Sequence, residues 1–112
     1  MIKSDSASIW LYDVPAGRAD DFEAWFRTTM VPLVDDHHPE LKGRWQILRA
    51  DTPEQDIIVF GILMDGIEGT EWEIQPLLEG ALSAEDAKRA LEALEPMIAR
   101  DYGWVMTPVI TG

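Results

Sequence analysis

Residues 57–64 read IIVFGILM, an unbroken apolar run of eight. That is far short of the roughly 20 residues needed to cross a bilayer as a helix. Side chains on a strand alternate between its two faces. The run therefore puts Ile57, Val59 and Leu63 on one side and Ile58, Phe60, Ile62 and Met64 on the other. A strand that is apolar on both faces belongs in the middle of a sheet with something packed against each side. The rest of the chain has to supply both covers.

Around that run the periodicities change in a regular way. Residues 8–14, rich in β-branched and aromatic side chains, read as a first strand that ends at the turn Pro15-Ala16-Gly17. Residues 18–34 read as a helix, with Phe22, Trp25, Phe26, Thr29, Met30 and Leu33 on one face. Asp20, Asp21 and Glu23 sit in its first turns, where acids suit the positive end of the helix dipole. Pro32 is expected to kink or end this helix near Val31, with residues 35–39 following as a polar loop. Residues 44–49 make a mixed polar strand and 51–56 a turn. Residues 67–82 resist assignment, because Pro76 and Gly80 argue against one regular helix. Ser83 is a cap for a second helix with Ala87, Ala90, Leu91, Leu94, Met97 and Ile98 along one stripe. Residues 104–110 read as the last strand.

The order β-α-β-β-α-β is that of the ferredoxin-like motif, an α+β fold with a four-stranded antiparallel sheet and two helices on one face. Right-handed crossovers put strands one and three at the centre. Arg44, Gln46 and Arg49 suit an edge for strand two, and Pro108, which lacks a backbone donor, suits an edge for strand four. With 112 residues the chain is expected to form a single domain over 1–112. Two helices cover only one face of such a sheet, and the bare face would be a larger apolar patch than monomers tolerate. The simplest cover is the same surface of a second copy, so a homodimer through the open sheet face is expected.

Composition narrows the function. The net charge of −12 opposes nucleic acid and anionic membranes. There is no cysteine, hence no disulfide, thiolate metal site or cysteine nucleophile. Its absence and the polar first residues fit a cytoplasmic protein. Charge is also uneven: Lys42, Arg44 and Arg49 cluster, whereas residues 65–86 carry seven acids and no base.

Several segments carry a family resemblance over essentially the whole chain. They are Val14-Pro15-Ala16-Gly17, Asp21-Phe22-Glu23-Ala24-Trp25-Phe26, Val31-Pro32-Leu33-Val34, and Glu71-Trp72-Glu73-Ile74-Gln75-Pro76-Leu77-Leu78. In these the chain resembles the dimeric α/β-barrel superfamily, nearest its EthD-like and antibiotic-biosynthesis-monooxygenase-like groups. The resemblance implies a small enzyme that needs no cofactor, of monooxygenase, cyclase or isomerase type. Its substrate would be a flat hydrophobic aromatic or lactone-like compound, attacked first by proton abstraction. The alternative is a non-catalytic dimer that binds a small hydrophobic ligand. Many EthD-like members end helix one with His-x-Pro-Leu; here Met30 stands at the histidine position. Haem-degrading relatives would want a histidine on helix two, and residues 83–100 have none.

Candidate chemistry rests on few residues. His37 and His38, flanked by Asp36, are the natural general bases near neutral pH and are expected at the mouth of a cavity between helix one and the sheet. Adjacent histidines diverge on a regular backbone, so no metal site is read from them. Arg49 is a candidate to stabilise an enolate or phenolate. Trp10, Tyr12, Trp25, Met30, Trp45 and Trp72 are the candidate walls of a substrate pocket, with Trp72 a candidate lid.

Overall fold

A computed structural model of the chain describes residues 6–50, 56–66 and 73–110. Trp72 and the turn at 51–55 lie outside these described residues. Four strands, β1 (Ala7–Pro15), β2 (Trp45–Arg49), β3 (Ile57–Asp65) and β4 (Arg100–Met106), form one antiparallel sheet in the order β2-β3-β1-β4. The two most apolar strands take the centre, as their patterning requires. The helices are α1 (Ala19–Trp25), α2 (Val31–His37), α3 (Ile74–Ala81) and α4 (Ala84–Leu94).

Tyr12 and Val14 of β1 and Ile58, Phe60, Ile62 and Met64 of β3 form the sheet's side of the core. From the helices, Phe22, Phe26, Met30, Leu33, Val34, Leu77, Leu78, Ala87 and Leu94 meet them. Phe22 is the hub: its ring centroid lies 4.6 Å from that of Phe60, 4.9 Å from Phe26 and 5.6 Å from Tyr12. Burying an aromatic side chain of this size stabilises by about 1.5–3 kcal/mol. The Trp25 indole donates to the Ala90 carbonyl at 3.1 Å and so ties α1 to α4.

Three expectations need correction. Of the two outcomes expected at Pro32, a kink or an end, the helical region does not end there. A π-turn over Phe26–Met30 precedes it, with the Val31 amide bonding the Phe26 carbonyl, and α2 then runs on to His37. Pro32 thus falls in a first turn, where no amide donor is needed and the wider turn spares the usual clash with the carbonyl four residues back. Asp35, Asp36 and His37 are consequently helical, not loop. Second, residues 74–81 are a regular helix despite Pro76 and Gly80. Pro76 is in its first turn and Gly80 in its last, the two places that tolerate them. Third, the last strand is Arg100–Met106, so it starts and ends earlier than the hydropathy suggests, and Pro108 lies beyond it. A 3₁₀ turn at Glu95–Met97 shortens the approach, and the Ala99 amide bonds the Asp13 carbonyl at 2.8 Å to begin the pairing. Strand β4 is still an edge, but not because of Pro108. Ser83 caps α4 as expected, accepting the Asp86 amide at 3.1 Å.

Among the described residues, no helix is long and apolar enough to cross a membrane.

Candidate functional site

The larger cavity, about 520 Å³, lies between the covered face of the sheet and the α3–α4 pair. That volume is in the range of small-molecule sites. Trp10 and Tyr12 of β1, Ile62 and Met64 of β3, and Asp101 and Gly103 of β4 line the sheet side. Glu73, Ile74 and Gln75 at the start of α3, and Leu91 of α4, line the other. The antiparallel register sets Tyr12 opposite Asp101 and Trp10 opposite Gly103. Gly103 is what makes room: a Cβ there would run into the Trp10 ring and lie 2.6 Å from the Ile9 carbonyl oxygen. The indole can therefore lie across β4, and its Nε1 donates to Asp101 Oδ2 at 3.3 Å.

Tyr12 is 6% exposed, and among the described residues its hydroxyl has no hydrogen-bond partner. Burial pushes this phenol well above its ordinary range, and the negative charges of Asp101 and Glu73 push it further. The cavity thus presents a neutral phenol donor facing carboxylates, in walls that are otherwise mainly apolar. Glu73 is the N-cap of α3, yet its side chain makes no capping bond.

A second, smaller groove of about 230 Å³ lies under α1 and the π-turn, lined by Phe22, Phe26, Trp45, Ile47, Arg49 and Phe60 among others. Here the charges are paired. Arg49 Nη1 donates to Glu23 Oε1 at 2.7 Å and meets Asp20 Oδ1 at 3.5 Å, with the guanidinium carbon 5.6 Å from the Phe60 centroid.

The candidate residues therefore separate. Trp10 and Tyr12 line the larger cavity together. Trp45 and Arg49 line the smaller groove. Trp25 and Met30 are buried in the core. His37 and His38 line neither space: His37 is exposed at the end of α2, and His38 Nδ1 lies 3.2 Å from Glu40 Oε1. The expected place for the histidines, at the mouth of a cavity under helix one, is not where the structure puts them, because α2 continues past Pro32 and carries them away. Asp13 faces the opposite side of the sheet from Tyr12 and pairs with Arg100 at 3.2 Å.

Asp101, Gly103 and Glu73 were not legible as site residues. For Asp101 and Gly103 the only signal was the register against Tyr12 and Trp10, which needs the true start of β4; Glu73 reaches the cavity only through the packing of α3.

No protein-family model and no curated protein sequence matches the chain. Solved structures do. A NIPSNAP domain protein from Burkholderia xenovorans superposes with a TM-score of 0.57 at 10% identity, over 93% of this chain and 94% of that one. A putative antibiotic biosynthesis monooxygenase from Caulobacter crescentus gives 0.56 at 18% identity, over 94% and 90%. SnoaB, a cofactor-independent oxygenase from Streptomyces nogalater, gives 0.51 at 14% identity, over 96% and 97%. The fold is ferredoxin-like. At these identities the likeness speaks for the fold, and this ferredoxin-like chain's chemistry has to be argued from its own cavity.

Proposed function

We propose that the protein is a small oxygenase-type enzyme that acts, without a cofactor, on a flat hydrophobic compound bound in the cavity beneath α3 and α4. The observation that carries this reading is the buried Tyr12 hydroxyl facing Asp101 in an apolar space of substrate size. Asp101, held by the Trp10 indole, takes a proton from an acidic C–H of the substrate. The electron pair left behind spreads onto a ring oxygen, which accepts a hydrogen bond from the neutral Tyr12 hydroxyl. The carbanion adds to dioxygen, and Asp101 returns its proton to the peroxide. Loss of water then turns a ring CH₂ into a carbonyl: one oxygen atom enters the product and the other leaves in water with both hydrogens. The same fold in SnoaB supports the reaction type. Cyclisation or isomerisation would use the same first step.

The same reading makes the protein a cytoplasmic homodimer closed through its open sheet face. Leu48, Trp104 and Met106 are about half exposed there or at its edge, at 49%, 57% and 55%, with Ile9, Leu11, Val59 and Leu63 beside them in the register. Native mass spectrometry should give a dimer, and a Leu11→Glu substitution should give a folded monomer. A monomeric wild type would remove this part of the reading.

Oxygen consumption with anthrone and with naphthols, and ¹⁸O transfer from ¹⁸O₂, test the chemistry. Asp101→Asn should cut turnover by about 10²–10⁴-fold while leaving binding intact, whereas His37→Ala with His38→Ala should leave turnover unchanged. A wild type that binds these compounds but consumes no oxygen would return the function to ligand binding alone.

A further inference from the structure

The charged groups among the cavity's described lining residues are all of one sign. Among its described lining residues there is no lysine, arginine or histidine, only the carboxylates of Glu73 and Asp101, the neutral Tyr12 and amide or hydroxyl groups. Arg44, Arg49 and Arg100 are committed elsewhere. Arg44 donates to the Asp65 and Gly66 carbonyls at 2.9–3.2 Å, Arg49 pairs with Glu23, and Arg100 pairs with Asp13 across the sheet. A bound anion would find no counter-charge here and would face two like charges.

Glu73 is the group left over. It is exposed at the start of α3; its carbonyl accepts the Leu77 amide at 3.2 Å, but among the described residues its carboxylate has neither an ion pair nor a hydrogen bond. In sequence it belongs to residues 65–86, the stretch with seven acids and no base. Further in, the Trp10 ring lines the cavity, and Tyr12, 6% exposed, offers a hydroxyl with no hydrogen-bond partner among the described residues. An aromatic wall beside a carboxylate favours a cation twice over, by cation–π attraction and by direct pairing.

We propose that the cavity selects an aromatic compound bearing a protonated amine, with its ring on Trp10 and its ammonium group at Glu73. Glu73 at the mouth keeps the ammonium near water, so little desolvation is lost, and Asp101 is left to act on the ring. This rests on the reading of the cavity as the site for a flat hydrophobic compound and adds the charge of that compound.

Three probes of one shape test it: 2-naphthylmethylamine, 2-naphthylmethanol and 2-naphthoate, with binding to the purified protein followed by tryptophan fluorescence and by ligand NMR. The amine should bind about tenfold more tightly than the alcohol and the carboxylate at least about tenfold more weakly, differences of about 1.4 kcal/mol each. Glu73→Gln should bring amine and alcohol within about twofold while leaving the alcohol's affinity unchanged. Glu92→Gln, which removes the same charge from an exposed site on α4 outside the cavity, should leave the preference intact; if it erases the preference, the net charge of −12 is responsible and the proposal falls. Equal binding of amine and alcohol by the wild type overturns the charge selection but leaves the cavity reading standing. Failure of all three probes to bind overturns both.

Discussion

One face of one sheet carries two hollows of opposite character. Under α1 and the π-turn the groove is small, aromatic rings pack around Phe22, and its cations are paired, Arg49 with Glu23 and Asp20 and Arg27 with Glu23. Under α3 and α4 the space is more than twice as large, its carboxylates face a buried phenol, and the Glu73 carboxylate has no partner among the described residues. Where packing is complete, charged groups spend their interactions on the fold. Where a glycine withholds a side chain, room and unused polar groups are left over, and those are what a ligand can use.

The contrast can be broken at either end. Phe60→Ala, at the packed end, should cost about 3–5 kcal/mol in chemical denaturation, since Phe60 is 1% exposed and stacks on Phe22. A cost under about 1 kcal/mol would mean that this end is not the packed one. Gly103→Ala, at the open end, should cost about 1–3 kcal/mol and quench the ligand response, because the new Cβ takes the place of the Trp10 ring. Full retention of binding would show that the indole is not held where the cavity needs it.

Next in size is an effect of alkaline pH. The folded chain keeps Tyr12 protonated to higher pH than the unfolded chain, whose tyrosine ionises near 10.0. Its contribution to stability is therefore intact below that value and is lost as pH rises above it, by at most about 1.4 kcal/mol per pH unit. Tyr12→Phe should flatten that alkaline decline in thermal melts. An unchanged slope would place the phenol in water. Smallest of all, Arg49→Met should barely move the melting temperature, because its ion pairs are surface pairs, and should not touch binding in the larger cavity. A loss of binding would join the two hollows into one site.

Much of the fold was legible in the residues. The two-faced apolar run of β3 required a central strand, and the α1 and α4 stripes marked which helical faces are buried. Ser83 announced its helix through a local hydrogen bond. These are short-range facts, each fixed by neighbours within a turn or two. The errors were at boundaries set by longer-range contacts. The π-turn that absorbs Pro32 is held by α1 packing on the sheet, and β4 begins at a polar Arg100-Asp101 pair that hydropathy passes over.

Local pattern alone was enough for the fold class, the central strands and the existence of an apolar sheet face in need of a cover. Strand alternation also put Trp10 and Tyr12 of β1 on one common face, without saying which face looks toward the helices. Only the tertiary structure decided which residues meet them. Asp101 is 89 positions from Tyr12 and Glu73 is 61, and no periodicity links such pairs. Their meeting depends on the register of β4 against β1, on Gly103 yielding space to an indole, and on a helix beginning where proline seemed to forbid one. Local pattern fixes which side of an element is buried; the register between elements, a property of the whole packed chain, fixes what shares a cavity.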